Sequence, residues 1–236
     1  MKKNIESLRT EIDKIDEQIF SLLQARLKIV EKVGHLKKSE EKKPIIRPGR
    51  EASMLQKFYN KAKKSGYSAK TSLAFANLWR SIIILGVNYE DEIEILVKSV
   101  AERQIAKDYL GKFADIKIKK SDKEIIKQLN ECSQSISVLD AKKAYTTEPW
   151  WFTISKTPQI KIIAKLPLME VSSKENIYAL ANITPEPTGN DKFVYVITGK
   201  MPCSISDEAK IISKYKTHTL IELDEFYNDF EKPIDA

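Results

Sequence analysis

The chain has little of what nucleophilic or metal-assisted catalysis is built from. Two of its 236 residues are cysteine and two are histidine. Cys132 and Cys203 lie far apart without metal-ligand spacing and without a paired histidine, which favours reduced, partly buried thiols over a disulfide, a zinc site or a thiol nucleophile. There is no glycine-rich phosphate loop. Long apolar runs are missing too. The longest, SIIILGV, is flanked by Arg80 and Asn88 and falls well short of the roughly 18 to 20 residues of a membrane span. The first residues, MKKNIESLRTEI, carry two lysines with no apolar stretch behind them, unlike a signal peptide. The expectation is a cytoplasmic protein with no membrane partner. No internal repeat is present, and no low-complexity tract beyond a lysine-rich loop around Ser39 to Lys43.

Composition places the chain among folded globular proteins, with 42% hydrophobic and 31% charged residues. Its length is enough for two modest domains, each with its own core. The net charge of +7 belongs to one part. Residues 1–91 hold 19 Lys and Arg against 11 Asp and Glu, whereas the remainder is nearly balanced at 21 against 22. A basic segment without interleaved aromatics or an RNA-binding motif suits a small anion better than a nucleic acid, and no nucleic-acid partner is expected.

From Ile5 the apolar residues fall at Leu8, Ile12, Ile15, Ile19 and Leu22, then at Ile29, Val33 and Leu36. This 3-4 spacing over four heptads predicts one long helix, about 45 to 50 Å at a rise of about 1.5 Å per residue. So long a helix cannot cover its seam within a small domain and calls for partners, including a second chain. EKKPIIRPG ends it. A second helix is predicted from about Arg50 to Lys64, with Gly66 closing it, and a third from about Ala69 to Glu90. After Asp91 the pattern changes to strand–helix–strand–helix–strand through IEILVK, VAERQIAKDYLGK, IKIKK, KEIIKQLNE and SISVLD. QIKIIAKLPL, IYALANI and KFVYVIT read as further strands, SDEAKIISKY as a helix, and THTLIEL as a last strand. The predicted fold class is multidomain, all-α followed by α/β: a three-helix, intertwined dimeric domain over residues 1–91, then a small α/β domain over 92–236.

The long seam has one misfit. Between Leu22 and Ile29 the next apolar seat holds Arg26, and a buried guanidinium needs an anion, either a protein carboxylate or a ligand. A register device in a coiled coil would also explain it. Lys37 lies three turns on, within about 20° of Arg26 and about 16 Å along the axis, so the two can hold a small anion between them. Arg9, roughly 25 Å before Arg26 and well around the helix, can serve only a partner's pocket. IIRPGRE then brings Arg50 and Glu51 to the start of the second helix.

Together LRTEIDKIDEQIFSLLQARLKIVEKVGHLK, RPGRE and LWRSIIILGVNYE closely resemble the all-helical chorismate mutases over residues 5–90. That family forms dimers with active sites shared between subunits, and converts chorismate to prephenate without cofactor or metal. The resemblance makes Arg26 and the partner's Arg9 carboxylate-binding arginines, Lys37 the donor to the ether oxygen, and Glu51 the acceptor for the substrate hydroxyl. Arg50 becomes the neighbouring active-site arginine. Two positions depart from the common bacterial pattern. Arg47 stands where many members have Asp, and Gly86 and Glu90 replace a Ser-x-x-x-Gln pair. A glutamine amide donates at any pH, a carboxyl only while protonated, so activity is expected to fall as pH rises.

EIEILVKSVAERQIAKDYLG, SQSISVLD and NDKFVYVIT distantly resemble a lobe of prephenate dehydratase. Asp191 and Lys192 stand where that family's catalytic Thr and Arg would be, which implies a scaffold or sensing lobe rather than a dehydratase. Trp150, Trp151 and the TPEPTGND loop are its most distinctive features, and adjacent tryptophans read as packing residues. A bifunctional mutase–dehydratase, and a non-catalytic helical dimer that binds an aromatic-pathway metabolite, remain alternatives to a mutase with an accessory domain.

Overall fold

A computed structural model describes residues 4–39, 46–90, 93–111, 114–132, 134–142, 147–169, 176–188, 191–205 and 207–224. The helical part has three elements: α1 (Ile5–Ser39), α2 (Pro48–Lys64) and α3 (Ala69–Glu90). α1 runs for 35 residues, about 52 Å, and its apolar row is left in the open, with Leu22 70% and Ile29 58% exposed. α2 starts on a proline at its first turn and carries Glu51 there and Lys61, Lys63 and Lys64 in its last, both matched to the helix dipole. Gly66, at φ +88°, supplies the left-handed residue that turns the chain out of α2. Leu55, Ala62, Ala76 and Ile83 are buried between α2 and α3, where Phe58 stacks on Trp79 with ring centroids 3.5 Å apart. The lysine-rich loop expected around Ser39 to Lys43 falls mostly outside the described residues.

The second part holds β1 (Glu94–Val97), α4 (Val100–Leu110), β2 (Asp115–Ile118), α5 (Asp122–Glu131), β3 (Ser135–Asp140), α6 (Trp150–Ile154), β4 (Lys161–Leu166) and β5 (Ile177–Ala181). They build a five-stranded sheet in the order β2-β1-β3-β5-β4. β1 pairs in parallel with both β2 and β3, and β5 and β4 join antiparallel. Both crossover helices begin with the same device. Ser99 caps α4 by accepting the Glu102 N–H, while Glu102 accepts the Lys98 N–H at 2.8 Å; Ser121 and Glu124 repeat the arrangement in α5. β6 (Phe193–Thr198), β7 (Lys210–Tyr215) and β8 (His218–Leu223) form a second, antiparallel sheet ordered β6-β8-β7.

The predicted helix over SDEAKIISKY is instead β7. Lys216, at φ +52°, and Thr217 close a two-residue hairpin to β8, and Ile212, Ser213 and Tyr215 are buried, so sheet pairing overrides the helix-favouring Ala-Lys-Ile start. The short helix α6 was absent from the sequence reading. Trp150 and Trp151 are each 1% exposed and pack in the core with Ile125, Leu129, Leu139, Tyr178 and Leu220, as packing residues should. Both cysteines are free, with Cys132 half-buried; Cys203, expected to be partly buried, is exposed. Among the described residues, no helix is long and apolar enough to cross a membrane.

The two parts meet. Tyr109 at the end of α4 is 7% exposed in a core with Ile95, Val97 and Val138, against which Ile46 and Val87 of the helical part also pack. Leu168 and Met169 reach the other way and pack with Leu55, Trp79 and Ile83.

Candidate active site

α1 lies along α3 at a close approach that two glycines permit. A Cβ on Gly86 would sit 2.9 Å from Arg26 Nη1, and one on Gly34 would sit 3.2 Å from Glu90 Cγ. Arg26 uses this room to donate to the Ile82 carbonyl at 3.1 Å. Among the described residues no carboxylate pairs with it. Burial, and then the charge of neighbouring Arg50, lower its hold on its proton below the ordinary guanidinium value. Arg26 therefore lies within the field of a second, exposed arginine and has, among the described residues, a carbonyl rather than a carboxylate against it, an excess of positive charge that suits an anion.

Lys37, 11 residues along the same face, donates to Glu90 Oε2 at 3.1 Å, with the Glu90 side chain 7% exposed. Lys37 and Glu90 are thus brought together, and Gly86 lies one turn before Glu90 against Arg26. Glu51 stands on the other wall. Burial pushes its carboxyl up to about 7, against the pull of the Arg47 backbone N–H and of the Arg80 and Lys37 charges. Arg9 lies exposed on α1, too far along the helix to join this cluster in its own chain.

Arg47, the least explained residue of the turn, caps α2 and forms a two-pronged ion pair with Glu186 of the α/β part. Its Nη2 and Nε donate to Glu186 Oε1 at 2.6 and 3.0 Å. Its departure from the common Asp accompanies this cross-domain contact. Asp191 and Lys192 are spent locally. Asp191 accepts from the Thr188 N–H and hydroxyl, and Lys192 pairs with Asp224.

Two polar residues near Glu51 escaped the sequence reading. The Arg80 guanidinium lies 4.3 Å from the centre of the Tyr109 ring, whose hydroxyl is raised above the ordinary phenol range by burial and, to a lesser degree, by the Glu51 charge, against the pull of Arg80. Arg80 carried a signal, since it occupies an apolar-face seat of α3 between Ala76 and Ile83, as Arg26 does on α1. Tyr109 carried none, because sequence spacing does not relate α4 to α3. Among the described residues no group of three or more His, Cys, Asp or Glu side chains could hold a metal ion.

Fold and site together define a helical domain with cationic side chains set on paired helices. Comparison with known proteins shows what the helical part is similar to: residues 8–91 match the family model "Chorismate mutase type II". A protein named bifunctional chorismate mutase/prephenate dehydratase, from Aquifex aeolicus, is 30% identical over 112 residues, covering 46% of this chain and 31% of that protein. The T-protein of Haemophilus influenzae is 40% identical over 65 residues, 28% of this chain and 17% of its own length. The chain therefore spans a third or less of the length of each of these relatives. No solved structure matches it.

Proposed function

We propose that the protein is a chorismate mutase, rearranging chorismate to prephenate in phenylalanine and tyrosine biosynthesis, in the cytoplasm and as a homodimer. The observation that carries this reading is Arg26, half-buried on α1 near the exposed Arg50 and bonded to a backbone carbonyl rather than to a carboxylate among the described residues. A dicarboxylate substrate supplies the missing charge, and planar guanidinium forks suit bidentate binding of carboxylates.

The rearrangement breaks a C–O bond and forms a C–C bond within one molecule, so the protein has to fold the substrate and stabilise charge rather than supply a reactant. Arg26, Arg50 and the partner's Arg9 hold the carboxylates. Lys37 turns from Glu90 to the ether oxygen, where negative charge grows as the C–O bond lengthens. Glu90, when protonated, donates to the same oxygen. Glu51, when ionised, accepts from the substrate hydroxyl. Gly86 leaves the space that Arg26 occupies. Removing one such donor, as in Lys37→Ala, is expected to lower kcat by about 10²- to 10³-fold.

The homodimer rests on the uncovered row of α1. Nine apolar side chains at 3-4 spacing and more than 40% exposed, from Ile5 to Leu36, make a seam longer than isolated side chains on a monomer surface. A second copy of α1 has the matching pattern and brings an Arg9.

Incubating purified protein with chorismate and identifying the product tests the reading. Prephenate is expected to accumulate. Onward conversion to phenylpyruvate would show a dehydratase as well, and no loss of chorismate would overturn the mutase reading.

A further inference from the structure

Glu51 does not face only the helices. The cleft it borders is lined on one side by Ile46, Ile84 and Val87 and on the other by Ile93, Ile95 and Leu110 of the α/β part. The apolar walls of this seam keep water from the carboxyl. The charged and titratable groups that face it come from every adjoining element: Lys37 from α1, the Arg47 N–H at the cap of α2, Arg80 from α3 and Tyr109 from α4.

We propose that Tyr109, contributed by the α/β part, is a positioning residue of the mutase pocket, acting through Arg80 to set the charge beside Glu51. The inference rests on the mutase reading above. Three contacts make the arrangement rigid. The Tyr109 ring carries the Arg80 guanidinium at 4.3 Å. Its hydroxyl accepts the Leu168 N–H at 3.0 Å, which fixes the ring. Directly after α4, Gly111 at φ +98° comes so near α3 that an added Cβ would lie 2.6 Å from Ile84 Cγ2. The α4 end therefore seats against α3 where Arg80 leaves it, and the guanidinium has little freedom to swing into water. A cation held there favours the ionised, hydrogen-bond-accepting form of Glu51. On this view the α/β part is not a detached appendage but one wall of the catalytic unit.

The test measures kcat/KM for chorismate against pH in full-length parent, Tyr109→Phe, Arg80→Gln and the double variant. The parent is expected to lose activity as pH falls through about 7, where Glu51 takes its proton. Arg80→Gln removes a charge that favours ionisation and should move this acid limb upward by about one pH unit. Tyr109→Phe keeps the ring and the burial but loses the hydroxyl's bond to the Leu168 N–H, which loosens the ring under Arg80 and should move the limb the same way by a smaller amount. The double variant should move it no further than Arg80→Gln alone, since Tyr109 acts through Arg80. A purely structural tyrosine would lower the melting temperature and leave the limb in place, so a parental limb in Tyr109→Phe, or additive shifts in the double variant, would overturn the proposal. Should Tyr109→Phe not fold, an unmoved limb in Arg80→Gln overturns it equally. A parent without turnover refutes the mutase reading and this role with it, a result distinct from an active parent whose variants share its profile.

Discussion

A carboxyl accepts a hydrogen bond best when ionised, and burial opposes ionisation. On the proposed reading Glu51 lives under both demands. Its folded-state value near 7 stands above the ordinary 4.5, so the folded chain binds this proton more tightly than the unfolded chain does. By linkage its contribution to stability is most favourable below about 4.5, declines as pH rises to about 7, and is then constant. Glu51→Gln cannot ionise. It should melt with the parent near pH 4, melt several degrees higher near pH 8, and lose most of its turnover. Thermal unfolding at both pH values checks this, and an equal difference at the two would refute it. Arg26, Lys37, Glu51 and Glu90 were legible in the sequence because each occupies a seat that helical periodicity makes conspicuous, or matches a family motif. The partner of Arg47 was not legible, because Glu186 lies 139 residues away in a loop whose path no periodicity encodes.

At the scale of elements, the three helices could be read to within a few residues, since each carries a long 3-4 pattern, α1 stops ahead of the proline-glycine turn, α2 stops ahead of Gly66, and the period changes after α3. β7 could not. Six residues are too few to separate the two periods, and the hairpin partner decides between them. Its pairing shifts register between Ile211 and Ser213, which further blurs alternation. The start of α2 shows how much an element can depend on a neighbour. Pro48 and Gly49 are both buried, and a Cβ on Gly49 would lie 2.5 Å from the Glu186 carbonyl oxygen. Backbone cannot yield as a side chain can, so Gly49→Ala should destabilise the chain by about 1 to 3 kcal/mol, even after a gain in helix propensity of up to about 1 kcal/mol. Arg47→Ala, which removes an ion pair with both side chains about 40% exposed, should cost less than about 1 kcal/mol. Chemical denaturation of the two variants tests the order. If Arg47→Ala proved the more damaging, the ion pair rather than the close backbone approach would hold the loop to α2.

For the molecule as a whole, the division into a helical and an α/β part shows in the change of period after Asp91, but the seam between them does not, because it is made of single residues from distant segments. The surface beyond the chain is better marked. On the proposed reading Arg9 and Arg26 serve the same chemistry from positions about 25 Å apart on one helix, and a second α1 running antiparallel would reconcile them by placing each Arg9 beside the other chain's Arg26. Such a twofold dimer has two equivalent sites. Arg9→Ala and Arg26→Ala chains should each be nearly inactive alone, since every site then lacks one arginine. In a heterodimer one site loses both arginines and the other keeps both. Equal mixing with free exchange makes half of the dimers heterodimers, with one good site in two, so the mixture should recover about one quarter of parental activity. Sedimentation should show a dimer throughout. Recovery near zero from chains that have demonstrably exchanged would mean that each subunit builds its site alone, and the exposed row of α1 would then need another explanation.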